Sequence, residues 1–127
     1  MSTRALVGIL NDGMVTYIYN HWDGDIDGLG KTLVENYRTK ETVEELLSFG
    51  DASFIEGSIN SSQFYMRDKG EDGCEARSIN ILSYIEQDWF CDYKYCFDGE
   101  WKVMTENNKE LKSVIVELEG ELNDNIS

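Results

Sequence analysis

The chain has 127 residues, 41% of them hydrophobic, which predicts one domain spanning residues 1–127 and argues against a disordered chain. Asp and Glu total 25 against 11 Lys and Arg, and the formal net charge of -14 opposes direct binding of nucleic acid or of an anionic membrane and favours partners with a basic surface. Three cysteines without a paired framework, no signal-like N-terminal segment and no long apolar run predict a cytoplasmic protein with free thiols.

The first half of the chain predicts one β-hairpin followed by two helices. Residues 5–10 form an apolar run and residues 14–20 are rich in β-branched and aromatic side chains, with the turn signal Asn-Asp-Gly between them. A helix is expected at about residues 29–37. A capping-box pattern at residues 42–45 predicts the start of a second helix, which Gly50 should end.

The second half predicts another hairpin and a terminal helix. Residues 79–86 favour a short helix, and residues 89–97 alternate before the two-residue turn signal Asp98-Gly99 and a return strand at 100–105. Apolar residues then recur at helical spacing, at Leu111, Val114, Ile115, Leu118 and Leu122. We therefore expect an α+β fold, in which an antiparallel sheet of two hairpins carries two or three packed helices.

The segment between the first hairpin and the first helix resembles a calcium loop. Asp23, Asp25 and Asp27, followed by Gly28, match the front half of an EF-hand loop. The position of the bidentate Glu that closes such a loop holds Val34, and a strand rather than a helix precedes it. We expect the three carboxylates to accept hydrogen bonds from backbone amides of the loop and the next helix. In the alternative interpretation the protein is a metal-stabilised module, and the same three carboxylates are its candidate metal ligands.

The same segment also resembles a phosphate-binding loop and contains the single histidine. Five residues separate Gly24 from Gly30, one more than a P-loop has, and the aspartates would repel phosphate, so we predict no nucleotide cofactor and no cofactor of any other kind. His21 and Asp23 are the candidates if the chain has catalytic residues. The other interpretation is a histidine that is hydrogen-bonded to close the loop.

Several motifs in residues 1–105 resemble a family of small, uncharacterised proteins of bacteriophages and prophages. The shared motifs are Met1-Ser2-Thr3-Arg4-Ala5-Leu6-Val7-Gly8, His21-Trp22-Asp23-Gly24, Gly28-x-Gly30, Leu46-Leu47…Gly50-Asp51, Tyr65-x-Arg67-Asp68-x-Gly70-Glu71 and Tyr95-x-Phe97-x-Gly99-x-Trp101. The family has an aromatic residue where this chain has Asp25, which makes the calcium-like triplet peculiar to this chain. The resemblance implies a phage origin and a role in host takeover or anti-defence, and it brings no established activity.

Charge and resemblance together predict a non-enzymatic, phage-encoded binding protein in the host cytoplasm. It would inhibit a host protein with a basic surface, as an anti-CRISPR-like nucleic-acid mimic, and a homodimer is one option for its oligomeric state. Residues 41–75 and 76–127 are the two strongly acidic segments of the chain. The candidate partner-binding residues are acids in these segments, namely Glu41, Glu44, Glu45, Asp68, Glu71, Asp72, Glu117, Glu119 and Glu121. The alternative is a small enzyme or ligand-binding protein that uses His21, Asp23 and the glycine loop.

Overall fold

The structure is a computed structural model that describes residues 3–87, 91–105 and 108–118. The strands are β1 (Ala5–Asn11), β2 (Met14–Asn20), β3 (Ala52–Phe54), β4 (Gln63–Phe64), β5 (Arg77–Asn80), β6 (Tyr93–Phe97), β7 (Trp101–Thr105) and β8 (Asn108–Ser113). The helices are a π-helix (Ile26–Gly30), α1 (Lys31–Asn36), α2 (Lys40–Leu47), α3 (Tyr65–Lys69) and α4 (Ile81–Glu86), and residues 114–118 are also helical.

The described strands form one mixed sheet of eight strands. Its order is β4-β3-β2-β1-β6-β7-β8, and β5 pairs with β2 off this path. Strand β1 runs parallel to β6, and β2 runs parallel to β3, while the other neighbours are antiparallel. The predicted antiparallel sheet of two hairpins with two or three helices is therefore wrong. Both hairpins form, but they join through a parallel contact that strand periodicity does not encode, and β3, β4 and β5 are too short to give a periodic signal.

The hairpins and helix starts differ locally from the expectations. Asn11 pairs with Met14, which confirms the first hairpin and its Asp-Gly turn. In the second hairpin Phe97 pairs with Trp101, so the turn contains three residues instead of two. Helix α2 begins earlier than predicted, because Thr39 rather than Thr42 is the N-cap residue and Thr42 is its capping-box partner.

The C-terminal segment also departs from the predicted helix. Residues Asn108–Ser113, which include Leu111, pair with β7 as an edge strand, and the chain becomes helical only at residues 114–118. Val114 keeps its expected place in the core and Leu118 packs against it, whereas Leu122 lies outside the described residues. Strand pairing with β7 has overridden the helical spacing of the first half of this segment.

The central strand β1 is covered on both faces. Ala5, Val7 and Ile9 belong to a core cluster that includes residues of the π-helix, α1 and α2. Leu6 points to the opposite face, where it belongs to a second cluster with Tyr84 of α4. Two-sided burial explains why residues 5–10 read as a continuous apolar run instead of an alternating one.

We expect the Cys96 thiol, which belongs to the second cluster, to resist alkylation in the folded protein. It is 1% exposed, and burial, with a smaller contribution from Asp98, raises its pKa to about 12. Little thiolate is therefore present at about pH 8, whereas Cys74 and Cys91 are partly exposed. Iodoacetamide labelling followed by peptide mass spectrometry, with and without guanidinium, measures this. If Cys96 in the native protein were labelled as fast as Cys74, the burial of the Cys96 thiol would be contradicted.

Candidate functional site

The loop after β2 is hydrogen-bonded to β3 and to β6. The amides of His21 and Trp22 donate to the carbonyls of Ala52 and Ser53 at 3.1 and 3.0 Å, which prolongs the pairing of β2 with β3. The hydroxyl of Tyr95 in β6 donates to the carbonyl of Gly24 at 2.8 Å. These hydrogen bonds to two strands therefore hold the backbone of the loop in place.

Close backbone contacts account for the glycine and aspartate of the His-Trp-Asp-Gly motif. The amide of Gly24 donates to the carbonyl of Thr3 at 2.9 Å, and a Cβ on Gly24 would lie only 2.7 Å from that oxygen. Asp23 has a φ of 55°, in the left-handed region that aspartate tolerates better than most residues, and its carbonyl accepts from the amide of Leu29 at 3.0 Å. Both residues thus shape the loop through their backbones.

The His21 ring is hydrogen-bonded to Tyr19, two residues earlier. The Tyr19 hydroxyl lies 2.6 Å from Nδ1 of His21, and the ring of Trp22 meets the imidazole edge-on with a centroid separation of 4.8 Å. Partial burial is the main cause that raises the pKa of Tyr19, so its hydroxyl keeps its proton at neutral pH, and the tautomer of His21 sets which atom donates. Among the described residues, His21 and Asp23 make no side-chain hydrogen bond to each other, and the hydrogen-bond partner of the imidazole is Tyr19.

The three aspartates of the calcium-like triplet line one open cleft. The cleft holds about 270 Å³ and is also lined by Gly28, Leu29, Thr32, Phe54 and Ile55. Among the described residues, no group of three or more His, Cys, Asp or Glu side chains is positioned to hold a metal ion. The cleft therefore gathers Asp23, Asp25 and Asp27 on one side of the loop without arranging them as a coordination shell.

An ion pair that no motif of the chain predicts supports the base of the loop. Asp51 is 7% exposed, and its carboxylate accepts from both terminal nitrogens of Arg77 at 3.0 and 2.8 Å. It also accepts from the amide of Tyr19 at 2.8 Å, and its hydrogen bond to Arg77 raises the pKa of the guanidinium. Asp51 thereby links the start of β3 to both β2 and β5.

The acids of α2 lie on its solvent side. Val43, Leu46 and Leu47 are buried, so Glu41, Glu44 and Glu45 are left exposed. Glu44 lies 4.0 Å from Lys40 in a solvent-exposed pair, which contributes little to stability.

The other predicted partner-binding acids have different surroundings. Asp68 is held by Arg67 and by the amide of Phe64, and the hydrogen bond from Arg67 is the main cause that lowers its pKa. Glu71 and Asp72 are exposed in the segment after α3. Glu117 lines a separate cleft of about 60 Å³ together with Lys112. Glu119 and Glu121 lie outside the described residues.

One acid of α2 and the arginine of α3 border a second, larger cleft. It holds about 470 Å³, and both Glu45 and Arg67 line it. Of the predicted partner-binding acids that the structure describes, Glu45 lines this cleft and Glu117 lines a different one.

The described helices include none that is long and apolar enough to cross a membrane. In comparisons with known proteins, no family model, no curated protein and no solved structure matches this chain.

Proposed function

We propose that this chain is a phage-encoded acidic binding protein that acts in the host cytoplasm by occupying a basic, nucleic-acid-binding surface of a host protein. The anti-CRISPR-like form of this role, inhibition of a defence protein by nucleic-acid mimicry, follows from the sequence resemblance. The observation that carries the proposal is the exposed row of Glu41, Glu44 and Glu45 on α2, beside an open cleft.

The acids of α2 combine a high charge density with a regular helical spacing. Residues three and four apart are neighbours on one helix face, so these carboxylates form one compact negative patch. A basic channel that has evolved to bind phosphates attracts such a patch and releases its own counterions on binding. Residues 41–75 carry nine acids and two bases, so neighbouring segments reinforce the negative potential.

The test is capture of the partner at two ionic strengths. The chain is used to pull down proteins from host lysate at low and at high salt, and captured proteins are identified by mass spectrometry and assayed for nucleic-acid binding. We expect a nucleic-acid-binding protein that is lost at high salt and whose nucleic acid the chain displaces.

A pair of charge variants shows where binding occurs. The triple variant Glu41→Gln, Glu44→Gln, Glu45→Gln should weaken capture much more than Asp12→Asn, Glu86→Gln, Glu100→Gln, which removes the same charge from scattered exposed positions. Capture that ignores salt, or that both variants reduce equally, would contradict the proposal.

A further inference from the structure

The larger cleft has a mixed apolar and polar lining. It lies between α2, the end of α1 and the segment at residues 57–60, and holds about 470 Å³. Tyr37, Phe49 and Ile59 give it aromatic and aliphatic surface. Its polar lining is made by Asn36, Thr42, Glu45, Ser58, Asn60 and Arg67.

Hydrogen bonds hold the walls of the cleft in place. The Tyr37 hydroxyl donates to the carbonyl of Glu56 at 2.7 Å, which fixes the segment that leads into residues 57–60. Arg67 donates to the carbonyls of Ile59 and Ser62 at 3.0 and 2.6 Å and thereby ties the far wall to α3. The cleft is therefore preformed, which lowers the entropic cost of binding.

Glu45 supplies the unbalanced charge of the cleft. The Arg67 guanidinium is neutralised by Asp68 at 2.9 Å and lies over the ring of Phe64 at 4.9 Å from its centroid. The Glu45 carboxylate, in contrast, has no ion-pair or hydrogen-bond partner among the described side chains. Its charge also reaches the cleft floor, because it raises the pKa of Tyr37 as a smaller cause beside burial.

A cleft that combines apolar surface with the Glu45 carboxylate suits a guanidinium better than an ammonium group. An arginine side chain can lay its methylenes on Ile59 while its planar head donates to Glu45 and to neighbouring amide oxygens. The ammonium group of lysine is compact and strongly hydrated, so it gains less binding free energy from a shallow site with several hydrogen-bond acceptors.

We propose that this cleft receives an arginine side chain of the basic host protein, with Glu45 as its ion-pair partner. The inference rests on the proposed function, because it names the group through which that partner is recognised. Charge complementarity between the acidic chain and a basic surface is the argument for this occupant.

The cleft can be probed without the partner by two-dimensional amide NMR. Nα-acetyl-arginine amide is titrated into the labelled protein, with the neutral isostere Nα-acetyl-citrulline amide and Nα-acetyl-lysine amide as comparisons. We expect saturable shifts of the amides of Asn36, Glu45 and Ile59 with the arginine probe and none with citrulline. Glu45→Gln should weaken arginine binding about fivefold, the upper range for an exposed ion pair, while Glu86→Gln, at an exposed position of α4 outside the cleft lining, should leave it unchanged.

The outcomes separate this inference from the proposed function. Absence of saturable shifts at the cleft would overturn the inference even if salt-sensitive capture of a host protein succeeded. Arginine binding at the cleft without any salt-sensitive partner would overturn the proposed function and leave the cleft as a guanidinium site. Equal binding of the lysine probe, or equal weakening by Glu86→Gln and Glu45→Gln, would show diffuse attraction and overturn the assignment of a guanidinium site.

Discussion

Replacing Asp51 with alanine should lower the free energy of unfolding by about 3 kcal/mol. The substitution removes the acceptor of two hydrogen bonds from Arg77 and one from the amide of Tyr19, and it takes the neutralising carboxylate away from a partly buried guanidinium. The value lies at the low end for a buried pair, because the Arg77 side chain is 33% exposed and water can solvate it in part. Urea denaturation of both proteins measures the difference.

A surface ion pair provides the matched control for Asp51. The carboxylate of Asp98 lies 2.6 Å from Lys102 in a pair in which both side chains are at least a quarter exposed. We expect Asp98→Ala to cost less than about 1 kcal/mol, because water screens the pair and solvates Lys102 after the loss. Equal losses for Asp51→Ala and Asp98→Ala would mean that burial does not set the strength of the Asp51 pair.

Replacing Gly50 with alanine should destabilise the protein by more than about 2 kcal/mol. Gly50 has a φ of +79°, and a Cβ there would lie 2.3 Å from the carbonyl oxygen of Cys74 and 2.7 Å from Cε of Met66. The carbonyl cannot withdraw freely, since it accepts the amide of Asp51 at 2.7 Å. Thermal and urea unfolding of the variant give the size of the effect.

The variant Gly70→Ala is the control that distinguishes the cost of a left-handed backbone from the cost of a steric contact at Gly50. It has a φ of +67°, and a Cβ there meets nothing within 4 Å. Gly70→Ala should therefore show only the left-handed penalty, about 1 kcal/mol. If Gly70→Ala lowered the free energy of unfolding as much as Gly50→Ala, the contact with Cys74 would not contribute to the destabilisation.

Part of the candidate site could be predicted from the residue pattern, and part could not. The His-Trp-Asp-Gly loop was recognised, and a hydrogen-bonded His21 that closes it was one of two interpretations, but Tyr19 was not named as the residue that contacts the ring. A usable signal existed, because residues two apart along an extended strand lie on the same face. The Asp51–Arg77 pair had no such signal, since 26 residues separate its members and β5 is only four residues long.

The amino-acid pattern alone was sufficient for the two hairpins, the helical character of residues 31–36 and the exposure of the α2 acids. Turn residues, alternation and helical spacing act over a few neighbouring positions, so their energies can be read locally. The parallel pairing of β1 with β6, the Tyr95 bond to Gly24 across 71 residues, and the meeting of Glu45 with Arg67 at one cleft were decided by tertiary structure. These contacts depend on which distant surfaces bury one another, and no local preference of either partner specifies that choice.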